Sequence, residues 1–165
     1  MSDHPLQEIM FSLESQASKW RKSRKKRDLY AFLAMIFLCF SKWKRDDVAE
    51  VAAKEFAKLA GIRRKKNQHP IRTMINATTK ADRRTKSRLT RALKFAWVRR
   101  KKYKSAQHCL RANGGVAGCA EQWAFLQAAT QTPKGYVRVG GEDRVPKIPY
   151  FVSTAYFDEY GRYRG

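Results

Sequence analysis

A mainly α-helical fold is predicted, with a compact multi-helix domain built around one central apolar helix. Three observations predict it. Apolar residues recur at helical spacing through most of the first 130 positions, as in residues 82–104, where Leu89, Ala92, Leu93, Ala96, Trp97 and Tyr103 share one stripe. Leu29 to Phe40 is an unbroken apolar run of twelve residues, and a helix that is apolar all round belongs in the centre of a core. Proline and glycine gather beyond Thr132, which sets a domain at 1–130 and an irregular, aromatic-rich C-terminal tail at 131–165.

The first helix is expected over residues 5–20. Pro5 suits a first turn, and Leu6, Ile9, Met10, Leu13 and Ala17 lie on one face. Residues 19–27 then carry seven bases in nine positions with no acid. Arg21, Lys22, Arg24, Lys25, Lys26 and Arg27 read as a nucleic-acid-binding arm or basic helix face, against the alternative of a solvated linker.

Residues 28–43 are expected to form the central helix, with Asp28 as its cap. Its twelve apolar residues would span roughly 18 Å, short of the ~30 Å hydrocarbon core of a bilayer. Basic clusters flank it on both sides, so association with an anionic membrane surface is the rival reading of this stretch. Residues 46–60 follow, with Asp46 and Asp47 at the start and Gly61 as the stop. Val48, Val51, Ala52, Phe56, Leu59 and Ala60 are its expected buried face.

A basic loop carries Arg63, Arg64, Lys65 and Lys66 into a shorter helix, Pro70 to Thr78. This order invites comparison with a helix-turn-helix, but Arg63–His69 is longer than the usual turn. Residues 82–104 are expected to form a long helix with a dense cationic face: Arg83, Arg84, Arg88, Arg91, Lys94, Arg99, Lys101 and Lys102. Phe95 and Val98 fall among those bases. A short helical turn then ends at Asn113-Gly114-Gly115, and a last helix covers 116–129. In the tail, Tyr136–Val139 could form one short strand, and seven aromatic residues suit docking or base stacking.

The net charge of +22 narrows the function. Residues 1–105 hold 29 Lys/Arg against 9 Asp/Glu, while 106–165 hold 7 against 5. Repulsion on this scale works against a compact state and is relieved by anionic partners. The reading is a non-enzymatic nucleic-acid-binding regulatory or accessory protein, duplex DNA preferred over RNA, with any base contacts from Arg72, Asn76 or the start of the long helix. RNA or ribosome binding comes second and a membrane surface third. The expected location is the cytoplasm, or the nucleoid or nucleus for a protein on DNA.

The sequence carries little that resembles catalytic or metal-binding chemistry. His108, Cys109 and Cys119 offer three metal ligands without a C-x-x-C pair, so no metal is expected. An odd number of cysteines, three, argues against a disulfide framework. No phosphate-binding glycine loop occurs, no cofactor is implied, and acids sit at helix starts or in the tail. Residues 1–18 are amphipathic and mildly acidic, unlike a signal peptide. One match stands apart. His69-Pro70-Ile71-Arg72 is an H-x-x-R, with Tyr103 following 31 positions later. It resembles the His/Arg box of tyrosine recombinases, which implies cationic stabilisation of a phosphoryl transition state by His69 and Arg72 and attack by Tyr103. The resemblance covers four residues and one tyrosine, with Pro70 inside the motif.

Overall fold

The computed structural model describes residues 4–130, and all seven helices in that span belong to one compact unit. They are α1 (His4–Ser23), α2 (Lys26–Arg45), α3 (Ala49–Leu59), α4 (Pro70–Thr78), α5 (Arg83–Val98), α6 (Ala106–Ala112) and α7 (Gly115–Thr130). No strand occurs among the described residues. The expected strand at Tyr136–Val139 and the aromatic tail lie outside them.

The mainly helical fold class holds, and so does the central place of the apolar helix. α2 packs against α1, α3, α4, α5 and α6. Phe32, Leu33, Ile36 and Phe40 are fully buried, and each such side chain contributes about 1.5–3 kcal/mol of burial free energy. α2 is not covered all round, because Leu38 is 67% exposed. Its far end joins the core through Trp43, which meets Phe56 of α3 edge-on at 5.9 Å. Trp97 of α5 caps the same layer, edge-on to Phe40 at 4.9 Å.

Several boundaries differ from expectation. α1 runs three residues beyond Trp20, so the basic run at 19–27 splits between two helices. Arg24 breaks them apart with φ of 53°, the left-handed region. Ser23 donates its hydroxyl to Asp28, pinning the corner, so Asp28 braces the first turn of α2 and Lys25 is the cap residue. That hydrogen bond, ahead of the surrounding lysines and arginine, holds the Asp28 carboxyl below the ordinary carboxylate range. Asp46 and Asp47 do not cap α3. Asp46 ends α2, Asp47 turns the chain at φ of 54°, and α3 begins at Ala49. The buried face of α3 is Ala49, Ala52, Ala53, Phe56 and Ala57, with Val51 55% exposed.

α5 stops at Val98, not at Lys104. It starts as expected, with Asp82 Oδ1 accepting from the amides of Arg84 and Thr85 at 2.8 and 2.9 Å. α5 is packed by α7, α4, α6 and α2, so its covered arc is wider than one stripe. Phe95, expected among the bases, is therefore in the core at 2% exposure.

Candidate nucleic-acid interface

The structure sorts the candidate cations into distinct settings. Arg84, Arg88 and Arg91 form an exposed row on α5, spaced four and three residues apart. Arg83 is exposed at the same helix start, while Lys94 is half-buried. The Lys94 ammonium sits over the Trp123 ring of α7 at 5.8 Å, and burial pushes its pKa down. Arg99, Lys101 and Lys102 are exposed but leave the helix for the turn that follows it. Arg100 in that turn stacks on Trp97 at 4.1 Å.

Arg64 is removed from the free cations. Its side chain is 9% exposed, and its guanidinium bonds Glu50, the Gln68 carbonyl and the Thr73 hydroxyl. It ties the α3–α4 loop to both helices. Arg63, Lys65 and Lys66 around it remain exposed. Lys22, Lys25, Lys26 and Arg27 are exposed around the α1–α2 corner.

α4 gives most of its surface to the core: Pro70, Ile71, Thr73, Met74, Ile75 and Thr78 are buried. Arg72 and Asn76 escape this burial in part. Arg72 lies within electrostatic reach of Arg83, and Lys86 of Arg72; burial first, and then the neighbouring cation, lowers the pKa of each. In each case the charged neighbour behind the shift is a cation.

Lys86 also lines a groove between α1 and the α4–α5 junction. It consists of two adjoining cavities of about 440 and 490 Å³. Arg21, Thr79 and Lys80 line both; Lys86 and Asn76 line the first, Trp20 and Arg24 the second. Two acids reach it. Glu14 lines the first cavity, and Asp82 in the second already accepts from the Thr85 hydroxyl and two amides. Lys80, Lys86 and Trp20 were not among the expected binding residues. A signal for Lys86 was present: it falls about 60° from Leu89 around the helix, a lysine on the apolar side. Nothing local marks Lys80.

The three residues of the recombinase-like match stand in separate settings. His69 caps α4 by accepting from the Ile71 amide at 3.2 Å, with its ring 5.2 Å from Phe40. Arg72 lies within electrostatic reach of Arg83 and Lys86. The Tyr103 hydroxyl bonds Asn113 at 3.3 Å, and its ring meets His108 edge-on at 5.5 Å. Among the described residues no cluster of three or more His, Cys, Asp or Glu side chains could hold a metal ion. None of the described helices is long and apolar enough to cross a membrane. Compared with known protein families, curated proteins and solved structures, the chain matches none.

Proposed function

We propose that this domain is a non-enzymatic nucleic-acid-binding protein that grips phosphates, with duplex DNA its preferred partner, acting as a regulatory or accessory factor. The observation that carries the reading is the gathering of cations on α4 and α5, in excess of the two acids, Glu14 and Asp82, that reach the adjoining groove. Arg72 lies within electrostatic reach of both Arg83 and Lys86, and Arg84, Arg88 and Arg91 continue the charge along α5 as an exposed row. Such an arrangement is relieved by a polyanion, and a row of three arginines on one helix suits successive phosphates. Phe32, Leu33, Ile36 and Phe40 of α2 are occupied in the core and Leu38 is its one exposed large apolar side chain, which leaves that helix little to offer a lipid surface.

The test is a titration of labelled duplex DNA, single-stranded DNA and duplex RNA at two salt concentrations. About eight phosphate contacts correspond to a log–log salt slope near −7, a fall of roughly 10⁴-fold between 50 and 200 mM. Changing Arg84, Arg88 and Arg91 together to Gln is expected to flatten the slope by about 3. Salt-insensitive binding, or no binding at 50 mM, would overturn the reading. Tighter binding to duplex RNA than to duplex DNA would move the partner from DNA to RNA.

A further inference from the structure

The groove beside α1 combines features that phosphate gripping alone does not require. A surface for backbone phosphates needs only exposed cations. Here Arg21 and Lys80 are shared by two cavities, Lys86 lines one of them, and Trp20 lines the other. The indole is firmly seated, stacked on the fully buried Phe32 with ring centres 5.9 Å apart and planes 15° from parallel. Each cavity lies within the ~300–1,000 Å³ range of small-molecule sites. Cations would attract any anion, but a flat aromatic wall beside them favours an anion that carries a flat ring.

We propose that this groove binds one phosphorylated nucleotide, with the phosphate in the Arg21–Lys80–Lys86 cavity and the base against Trp20. The proposal deepens the nucleic-acid reading and rests on it for the class of ligand. The nucleotide has two sources, a free mononucleotide or an unpaired residue of a strand, and both present the same phosphate and ring. Ser18 and Asn76, beside Arg21 in the first cavity, add a hydroxyl and an amide within the same wall. Charge-assisted hydrogen bonds to phosphate are among the stronger ones in proteins, so losing one partner is expected to weaken binding about tenfold or more.

Trp20 supplies the readout, because the other tryptophans, Trp43, Trp97 and Trp123, are not among the residues lining the groove. Thymidine 5′-monophosphate, a 5′-phosphorylated thymidine tetranucleotide and a blunt duplex are titrated separately against the full chain, following tryptophan fluorescence. Saturable quenching by the first two, absent in Trp20→Phe, is the expected result. Arg21→Gln and Lys86→Gln are each expected to raise Kd about tenfold or more with the circular dichroism spectrum unchanged. Should Lys86→Gln not fold, Lys80→Gln at an exposed loop position replaces it. A tetranucleotide that binds at least tenfold tighter than the monophosphate identifies a strand as the source; equal affinities identify the free nucleotide. No saturable quenching up to about 5 mM, or quenching that survives both the arginine and the lysine change in folded protein, overturns the proposal. Inorganic phosphate competing as well as the nucleotide also overturns it, since the ring would then contribute nothing. If the blunt duplex still binds with strong salt dependence while the nucleotides fail, the groove proposal falls and the phosphate-gripping reading stands; if all three fail, both fall.

Discussion

His69 couples a helix cap to the protonation state of a buried ring. Its Nδ1 accepts the Ile71 amide, so that nitrogen must be unprotonated while α4 is capped. Burial, with Lys94, Lys44 and Arg64 nearby outweighing Glu50, pushes its pKa down to about 4. The unfolded chain protonates near the ordinary value of 6.5, so this contribution is whole above that pH and is lost as pH falls toward 4. A shift of that size corresponds to at most ~3 kcal/mol, and partial exposure of the ring brings it to about 1–2. His69→Asn keeps a capping side chain and removes the titration. In urea unfolding, the stability gap between parent and variant is expected to change by about 1–2 kcal/mol in the variant's favour from pH 7 to pH 4.5. Parallel curves would show that His69 does not carry the effect. Nothing in the composition announces this role, since a histidine before a proline reads equally well as a loop residue. Arg64 is the same kind of case. Within Arg63–Lys66 the four bases look equivalent, and only the position of Glu50 and Thr73 in space separates one from the others.

At the scale of elements, the corner between α6 and α7 is tightly constrained. Asn113 donates to the Cys109 carbonyl at 2.7 Å and accepts from Tyr103 and Gln122. Gly114 and Gly115 follow with φ of 73° and 77°, values that side chains other than glycine rarely adopt. One turn into α7, a Cβ on Gly118 would lie 2.0 Å from the Asn113 carbonyl oxygen. Alanine is the better helix former by about 1 kcal/mol, yet the obstacle is backbone and cannot swing aside. Gly118→Ala is therefore expected to cost about 1–3 kcal/mol net, read as a lower urea midpoint with an unchanged slope. A variant as stable as the parent would mean the corner can relax. The existence and order of the main helices were legible because spacing and caps are local. Their ends were less so. α5 was expected to reach Lys104, and it stops at Val98, with the chain bending so that Tyr103 meets Asn113. A long-range bond of that kind leaves no mark on local periodicity.

At the scale of the molecule, +22 charges on 165 residues set the conditions under which the fold persists. Surface repulsion between like charges is screened within about 10 Å at 0.1 M salt. The thermal midpoint is accordingly expected to rise by several degrees between about 20 and 500 mM sodium chloride, the reverse of a protein held by exposed ion pairs. An unchanged or falling midpoint would mean that the cations are already compensated within the chain. The same repulsion gives binding its driving force, so salt is expected to strengthen the free protein and weaken its complexes with nucleic acid.

The sequence by itself determined the helical fold class, the central apolar helix and the concentration of charge before residue 105. All three are sums over neighbours: 3.6-residue periodicity, an unbroken apolar run, and a count. The tertiary structure decided which side chains those patterns place together. It moved Phe95 into the core because α7 covers a second flank of α5, and it withdrew Arg64 behind Glu50 and Gln68. It also brought Trp20 and Arg21 from α1, Lys80 from a loop and Lys86 from α5 around one groove. Those residues are some sixty positions apart, and their meeting depends on how α1 and α5 pack around α4, a relation that no local pattern encodes.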